Sequence, residues 1–135
     1  MKNFKKYYII PASPEELYRA LTTEITIRLW TGDLVTIDPT VGGEFSLWDG
    51  AIEGKFIALE PFSKIVQQWY FGEQEEPSIV TLKLHEHKKG TSFEVNHVNI
   101  PDEAYDDIVA GWTETYVESL LEFYEDEDED TSSRL

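Results

Sequence analysis

The side chains that titrate near neutrality are three histidines, and two of them sit almost together. His85-Glu86-His87 sets two imidazoles at i and i+2, a spacing that puts both on one face of a strand. With a carboxylate they could grip a metal. A zinc-type site, however, needs three or four converging ligands, and neither a third histidine nor a cysteine is near. That face is also the outer one, beside the Lys88-Lys89-Gly90 turn, so no metal site is assigned. His97 differs. Strand alternation places it with Phe93 and Val95 on an inward face, which makes it the histidine positioned for general acid–base chemistry. Gln67 shares an inward face with Ile65 and Trp69 in the same way. A buried polar group must be hydrogen-bonded. Each of these two therefore either recognises the polar end of a ligand or bonds to tyrosine or backbone and does nothing further.

Other suggestive residues have plainer explanations. Asp49-Gly50 is a hairpin turn signal. Gly42-Gly43 lacks the strand–loop–helix context and the lysine of a phosphate loop. Ser13 is better read as a helix cap than as a nucleophile, because no histidine–acid pair is set up to activate it. Cysteine is absent, which excludes disulfides, thiolate metal sites and cysteine nucleophiles. No catalytic residue and no cofactor is assigned.

The elements that must position these residues belong to a chain of 135 residues, the size of one domain. Apolar residues make up 41%, enough for a packed core. The formal net charge is −16. Residues 125–135 supply −5 of it, leaving −11 on the rest. Such acidity repels phosphate backbones and anionic headgroups, which argues against nucleic-acid and membrane partners. Charged residues interrupt every apolar stretch near the start, and no window resembles a membrane span, so a soluble, cytoplasmic protein is expected.

Residues 4–10 read as a strand rich in aromatic and β-branched types. Ser13-Pro14-Glu15-Glu16 reads as a helix start with a cap, a first-turn proline and a capping-box glutamate. A second short helix is expected over 23–30. From Leu34 to Ile100 the apolar period is two, cut by turns, which predicts about six antiparallel strands. Tyr105, Ile108, Val109, Trp112, Tyr116, Leu120 and Phe123 then recur at steps of three and four, one face of a long helix from about 102 to 125. The six consecutive acids of 125–130 and the short polar end predict a disordered tail over 125–135, solubilising rather than partner-binding.

An antiparallel sheet with one apolar face must cover it, and the terminal helix is the element long and apolar enough. The space between them is the expected ligand cavity. Its sheet side is predicted from Phe45, Ile52, Phe56 and Trp69, continuing through Val80, Leu82, Phe93 and Val95. Gln67 and His97 add polar groups, and Trp112 and Tyr116 face them from the helix. The plainer alternative is that these residues simply fill the core.

Several stretches carry a family resemblance: Ser13-Pro14-Glu15-Glu16-Leu17-Tyr18-Arg19, Gly42-Gly43 through Phe45, and Asp49-Gly50-Ala51-Ile52-Glu53-Gly54-Lys55-Phe56. Leu59-Glu60-Pro61, Ile65-Val66, Trp69, Thr81-Leu82, Ile100-Pro101 and Gly111-Trp112 with Tyr116 continue it in order. The set resembles the C-terminal domain of the activator of heat-shock protein ninety ATPase, within the START-like (SRPBCC, birch-pollen-allergen-like) superfamily. The resemblance implies an α+β helix-grip fold: a curved antiparallel sheet of six to seven strands around a long C-terminal helix, with two short helices after the first strand. Residues 1–124 are then one such domain, without the separate N-terminal domain of eukaryotic co-chaperones. The expected role is non-catalytic binding of a small hydrophobic or amphipathic ligand by a monomer or weak homodimer. A co-chaperone that contacts a heat-shock-protein-ninety homologue is the alternative, and a cyclase- or hydrolase-like enzyme using the same cavity comes third.

Overall fold

A computed structural model describes the backbone of residues 1–133 and the side chains through Glu125. Strand β1 (Lys2–Ile10) leads into helices α1 (Pro14–Thr22) and α2 (Glu24–Thr31). Strands β2 (Thr36–Ile37), β3 (Glu44–Leu47), β4 (Ile52–Glu60), β5 (Lys64–Trp69), β6 (Ser78–His87) and β7 (Gly90–Ile100) follow. They form one antiparallel seven-stranded sheet in the order β1-β7-β6-β5-β4-β3-β2. The terminal helix crosses its inward face and carries Trp112 onto Trp69 and His97.

The alternation seen in the sequence places the inward residues. Ser78, Val80, Leu82 and Leu84 of β6 are buried, as are Ile65, Gln67 and Trp69 of β5. Phe93, Val95 and His97 of β7 are buried beside them. In β4 a bulge between Phe56 and Ala58 breaks the period, so that Leu59 rather than Ala58 pairs with the buried Ile65 and packs against the core. Gly54 pairs with Phe45 on one side and Trp69 on the other. A Cβ there would overlap the Gln68 carbonyl and press on the Phe45 ring, so only glycine fits.

Helix α1 begins as expected: Ser13 Oγ accepts the Glu16 backbone N–H at 3.2 Å, with Pro14 in the first turn. Helix α2 ends at Gly32 in the left-handed region (φ 69°), whose N–H closes onto the Arg28 carbonyl. Trp30 Nε1 donates to the Ala20 carbonyl at 2.8 Å and locks the two helices together.

The terminal helix departs from the uniform one expected over 102–125. It opens with a 3-10 turn (Asp102–Ala104), becomes α3 (Tyr105–Gly111), passes through a π-helical segment (Trp112–Val117) and resumes as α4 (Glu118–Ser133). The buried residues Trp112, Tyr116, Leu120 and Tyr124 explain the irregularity. Steps of four overshoot a full α-helical turn by about 40° each, so such a row drifts off the core. Wider π turns, bonded i→i+5, take back part of the drift. The helical backbone runs on through Ser133, and residues 134–135, the end of the tail expected over 125–135, lie outside the described residues. Once a packed helix exists, each further residue adds a hydrogen bond without a new nucleation cost, and glutamate is a good helix former. Among the described residues no helix is long and apolar enough to cross a membrane.

Candidate functional site

The β3–β4 hairpin and the terminal helix meet at a pocket of about 200 Å³. The hairpin loop is wider than a two-residue Asp-Gly turn. Leu47 pairs with Ile52, and Trp48, Asp49 and Gly50 all adopt positive φ (51°, 53° and 91°). For a residue as bulky as tryptophan this conformation is strained by about 1–3 kcal/mol. Its effect is to swing the Trp48 ring to 5.9 Å from Tyr116 and 5.7 Å from Trp30. Trp48 thus walls the pocket with Ile52, Ile108 and Gly111, over a buried floor of Trp69, Trp112 and Tyr116. Ala51, Asp107 and Thr115 form an exposed rim. Gly111 lines the pocket without a side chain, and a Cβ built there meets nothing within 4 Å.

Aromatic contacts hold the floor. Trp69 and Trp112 stack with centroids 4.9 Å apart and planes 22° apart. Tyr116 lies 4.6 Å from Trp112 and 5.2 Å from Trp30. All four tryptophans of the chain therefore belong to one cluster around Tyr116. Burial pushes the Tyr116 phenol well above its ordinary pKa, so it stays protonated.

Polar groups beneath the floor aim the indoles. Gln67 Oε1 accepts from Trp69 Nε1 at 2.9 Å. Trp112 Nε1 donates to His97 Nδ1 at 3.1 Å, and His97 Nε2 lies 2.7 Å from Ser78 Oγ. Ser78 Oγ also donates to the Val98 carbonyl at 3.3 Å. The Ser78 hydroxyl has one proton to give, so His97 Nε2 carries hydrogen and Nδ1 does not. His97 is thereby a neutral Nε2–H imidazole, and burial lowers its pKa to about 3. Both ring nitrogens are engaged inside the core, which leaves neither to exchange protons with a ligand.

Four of the residues expected at the cavity line the pocket: Ile52, Trp69, Trp112 and Tyr116. Phe45, Phe56, Val80, Leu82, Phe93 and Val95 instead lie in the packed core. Gln67 and His97 do not line it either, and they act through the two floor indoles. Strand alternation tells inward from outward but not how deep the helix sits, and here Trp112 descends to the middle strands and fills them. Trp48, Ala51, Asp107, Ile108, Gly111 and Thr115 also line the pocket. Ile108 belongs to the helix stripe read from the sequence, and Asp107, Gly111 and Thr115 flank it at helical spacing. Nothing in the local sequence shows that Trp48 turns inward.

The histidine pair on the outer face is separated. His85 Nε2 bonds Glu94 at 3.0 Å, while His87 Nδ1 accepts the Lys89 backbone N–H at 3.1 Å. Burial raises the Glu94 pKa, but hydrogen bonds from His85 and Tyr7 and the charges of Lys5 and Lys83 outweigh it and hold the carboxyl below its ordinary range. Among the described residues no group of three or more potential ligands gathers around a metal-sized gap.

A seven-stranded antiparallel sheet gripping its C-terminal helix, with two short helices after the first strand, defines the START-like helix-grip class. Within it, the chain belongs to the family described as Activator of Hsp90 ATPase homolog 1-like protein, whose model matches residues 11–125. The human protein named activator of 90 kDa heat shock protein ATPase homolog 1 is 31% identical over 114 residues, covering 83% of this chain and 34% of the human one. A Dictyostelium discoideum homologue of that activator is 29% identical over 111 residues, covering 80% of this chain and 29% of its own. The chain thus spans about a third of the length of the curated relatives it matches. Among solved structures, an HSP90 activator from Plasmodium falciparum superposes with a TM-score of 0.80 at 29% identity, covering 89% of this chain and 94% of that one. A Mesorhizobium loti protein gives 0.78 at 25% identity, with 92% and 97% covered.

Proposed function

We propose that residues 1–124 act as a non-catalytic START-like binding domain, holding a small apolar or amphipathic ligand between the β3–β4 hairpin and the terminal helix. One observation carries this reading: a pocket of about 200 Å³ opens between the β3–β4 hairpin and the terminal helix, floored by three aromatic rings. Three features support it: the strained Trp48 wall, the side-chain-free Gly111 wall, and polar anchors that fix the floor indoles. Preorganised aromatic surface binds at low entropic cost. His97 is committed to the core, which weighs against a cyclase- or hydrolase-like use of the cavity. The reading sets the protein in the cytoplasm, where a chain without cysteine has no disulfide to lose.

The test uses indole as probe. The indole N–H resonances of Trp48, Trp69 and Trp112 should shift with a saturable dependence on indole, and Gly111→Leu should abolish the shift by filling the pocket. No saturable shift in the wild-type protein refutes the reading.

A second reading is a co-chaperone that regulates a heat-shock-protein-90 ATPase. It is favoured by family membership and by the human relative, whose name makes it an activator of such an ATPase. It is also favoured by an apolar row on α2, where Ile25 and Leu29 stand four residues apart, 72% and 64% exposed. Leu34 follows in the loop after α2, 61% exposed. Added to a heat-shock-protein-90 homologue, the protein should raise its ATPase rate, and Ile25→Ser with Leu29→Ser should remove the effect. An unchanged rate with wild-type protein rejects this reading.

A further inference from the structure

The pocket just described has a chemistry that narrows its ligand, an inference that rests on the ligand-binding reading. Its size sets the first limit. An apolar cavity of about 150 Å³ accommodates benzene. A pocket of about 200 Å³ therefore accepts one aromatic ring, or a fused pair, with a short arm reaching the rim. A long acyl chain or a steroid nucleus exceeds it.

Shape sets the second limit. The floor stacks Trp69 on Trp112 at 4.9 Å, with Tyr116 at 4.6 Å from Trp112, and Trp48 stands opposite. Flat ring faces favour a flat guest, and their negative faces attract positive charge.

Charge sets the third limit. Among the ten lining residues the one ionisable group at neutral pH is the Asp107 carboxylate, at the exposed rim. No lysine, arginine or histidine lines the pocket. The whole chain adds a net charge of −16, a field that draws cations toward the mouth and repels anions. Thr115 at the rim adds a hydroxyl that can accept from an ammonium N–H.

We infer that the pocket selects a small planar aromatic amine: the ring slots among Trp48, Trp69 and Trp112, and the ammonium group lies at the rim beside Asp107. Fatty acids and other carboxylate ligands are disfavoured twice, by volume and by charge.

Three probes of near-equal shape separate the terms: tryptamine (cation), tryptophol (neutral) and indole-3-acetate (anion). Titration calorimetry gives affinities, and indole N–H resonances of labelled protein confirm the site. Tryptamine should bind about tenfold tighter than tryptophol, the sum of an exposed ion pair and a cation–π contact. Indole-3-acetate should bind more weakly than tryptophol. Asp107→Asn should cut the tryptamine advantage by about threefold, leaving tryptophol unchanged, as expected for an exposed carboxylate. Equal affinities, or a preference for the anion, overturn the ligand class while leaving a binding pocket in place. An Asp107→Asn variant that keeps the full tryptamine advantage overturns the assignment of the rim carboxylate. If none of the three binds, both the ligand class and the pocket's binding role are refuted.

Discussion

Acidification should expose how firmly His97 is held neutral. In an unfolded chain its imidazole takes a proton near pH 6.5, whereas in the folded core burial lowers that point to about 3. Because the folded value lies below the unfolded one, the contribution to stability is complete above pH 6.5. It erodes as pH falls toward 3. Each pH unit inside that window costs about 1.4 kcal/mol, so at pH 5 the loss is about 2 kcal/mol. The geometry supplies a further reason, since a proton on Nδ1 would confront the Trp112 N–H that now points at it. His97→Leu supplies the comparison. It leaves the Trp112 N–H without its acceptor and removes a partner of Ser78, costing about 2–4 kcal/mol at pH 7. Urea unfolding followed by tryptophan emission at pH 7, 6 and 5 would then give two stability curves. The carboxylates titrate equally in both proteins, so the gap between the curves isolates His97. It should shrink by about 2 kcal/mol between pH 7 and 5. Parallel curves, or a His97 resonance that titrates near pH 6.5 in the folded protein, would refute the assignment of a buried neutral Nε2–H imidazole.

Other substitutions probe the remaining joints. Trp112→Phe removes the donor to His97 and should cost about 1–3 kcal/mol, while raising the pH at which His97 protonates, readable by NMR titration. Gly54→Ala forces a methyl into the Gln68 carbonyl and should lower stability by about 1–3 kcal/mol or more, seen as a lower urea midpoint. Ser13→Ala deletes the cap of α1 and should cost about 1 kcal/mol by the same measurement. Gly111→Ala places its methyl in open space and should raise stability by about 0.5–1 kcal/mol through helix propensity, with a higher melting temperature.

Much of the architecture is legible in one dimension because its periods are strong. Val80-Leu82-Leu84 and Phe93-Val95-His97 alternate without a break, and the Ser13-Pro14-Glu16 start carries its own mechanism. The terminal helix is legible as a stripe but not as a π-containing one, because that irregularity answers to where Trp112 and Tyr116 must land on the sheet. The pocket is legible in part. Trp69, Trp112, Tyr116 and Ile52 follow from facing directions, whereas Trp48 depends on a left-handed backbone that Asp49-Gly50 does not announce. Gln67 and His97 stand out as buried polar residues, and their partners are Trp69, two residues along the same strand, and Trp112 on the terminal helix. Composition cannot tell such an internal anchor from a ligand-facing group.

The π-helical segment also bears on how the chain tolerates changes of length. Such a segment amounts to an α-helix holding one residue more than its ladder needs. Loss of one residue from it, such as the exposed Glu114, would let the ladder close as a regular α-helix and leave the residues downstream near their present phase. Leu120 and Tyr124 would stay at the core and Ile108 and Gly111 at the pocket. Loss of a residue from the regular turn that opens α4 has no such slack and rotates everything after it by about 100°. A single deletion between residues 112 and 117 should therefore harm the domain less than one at the start of α4.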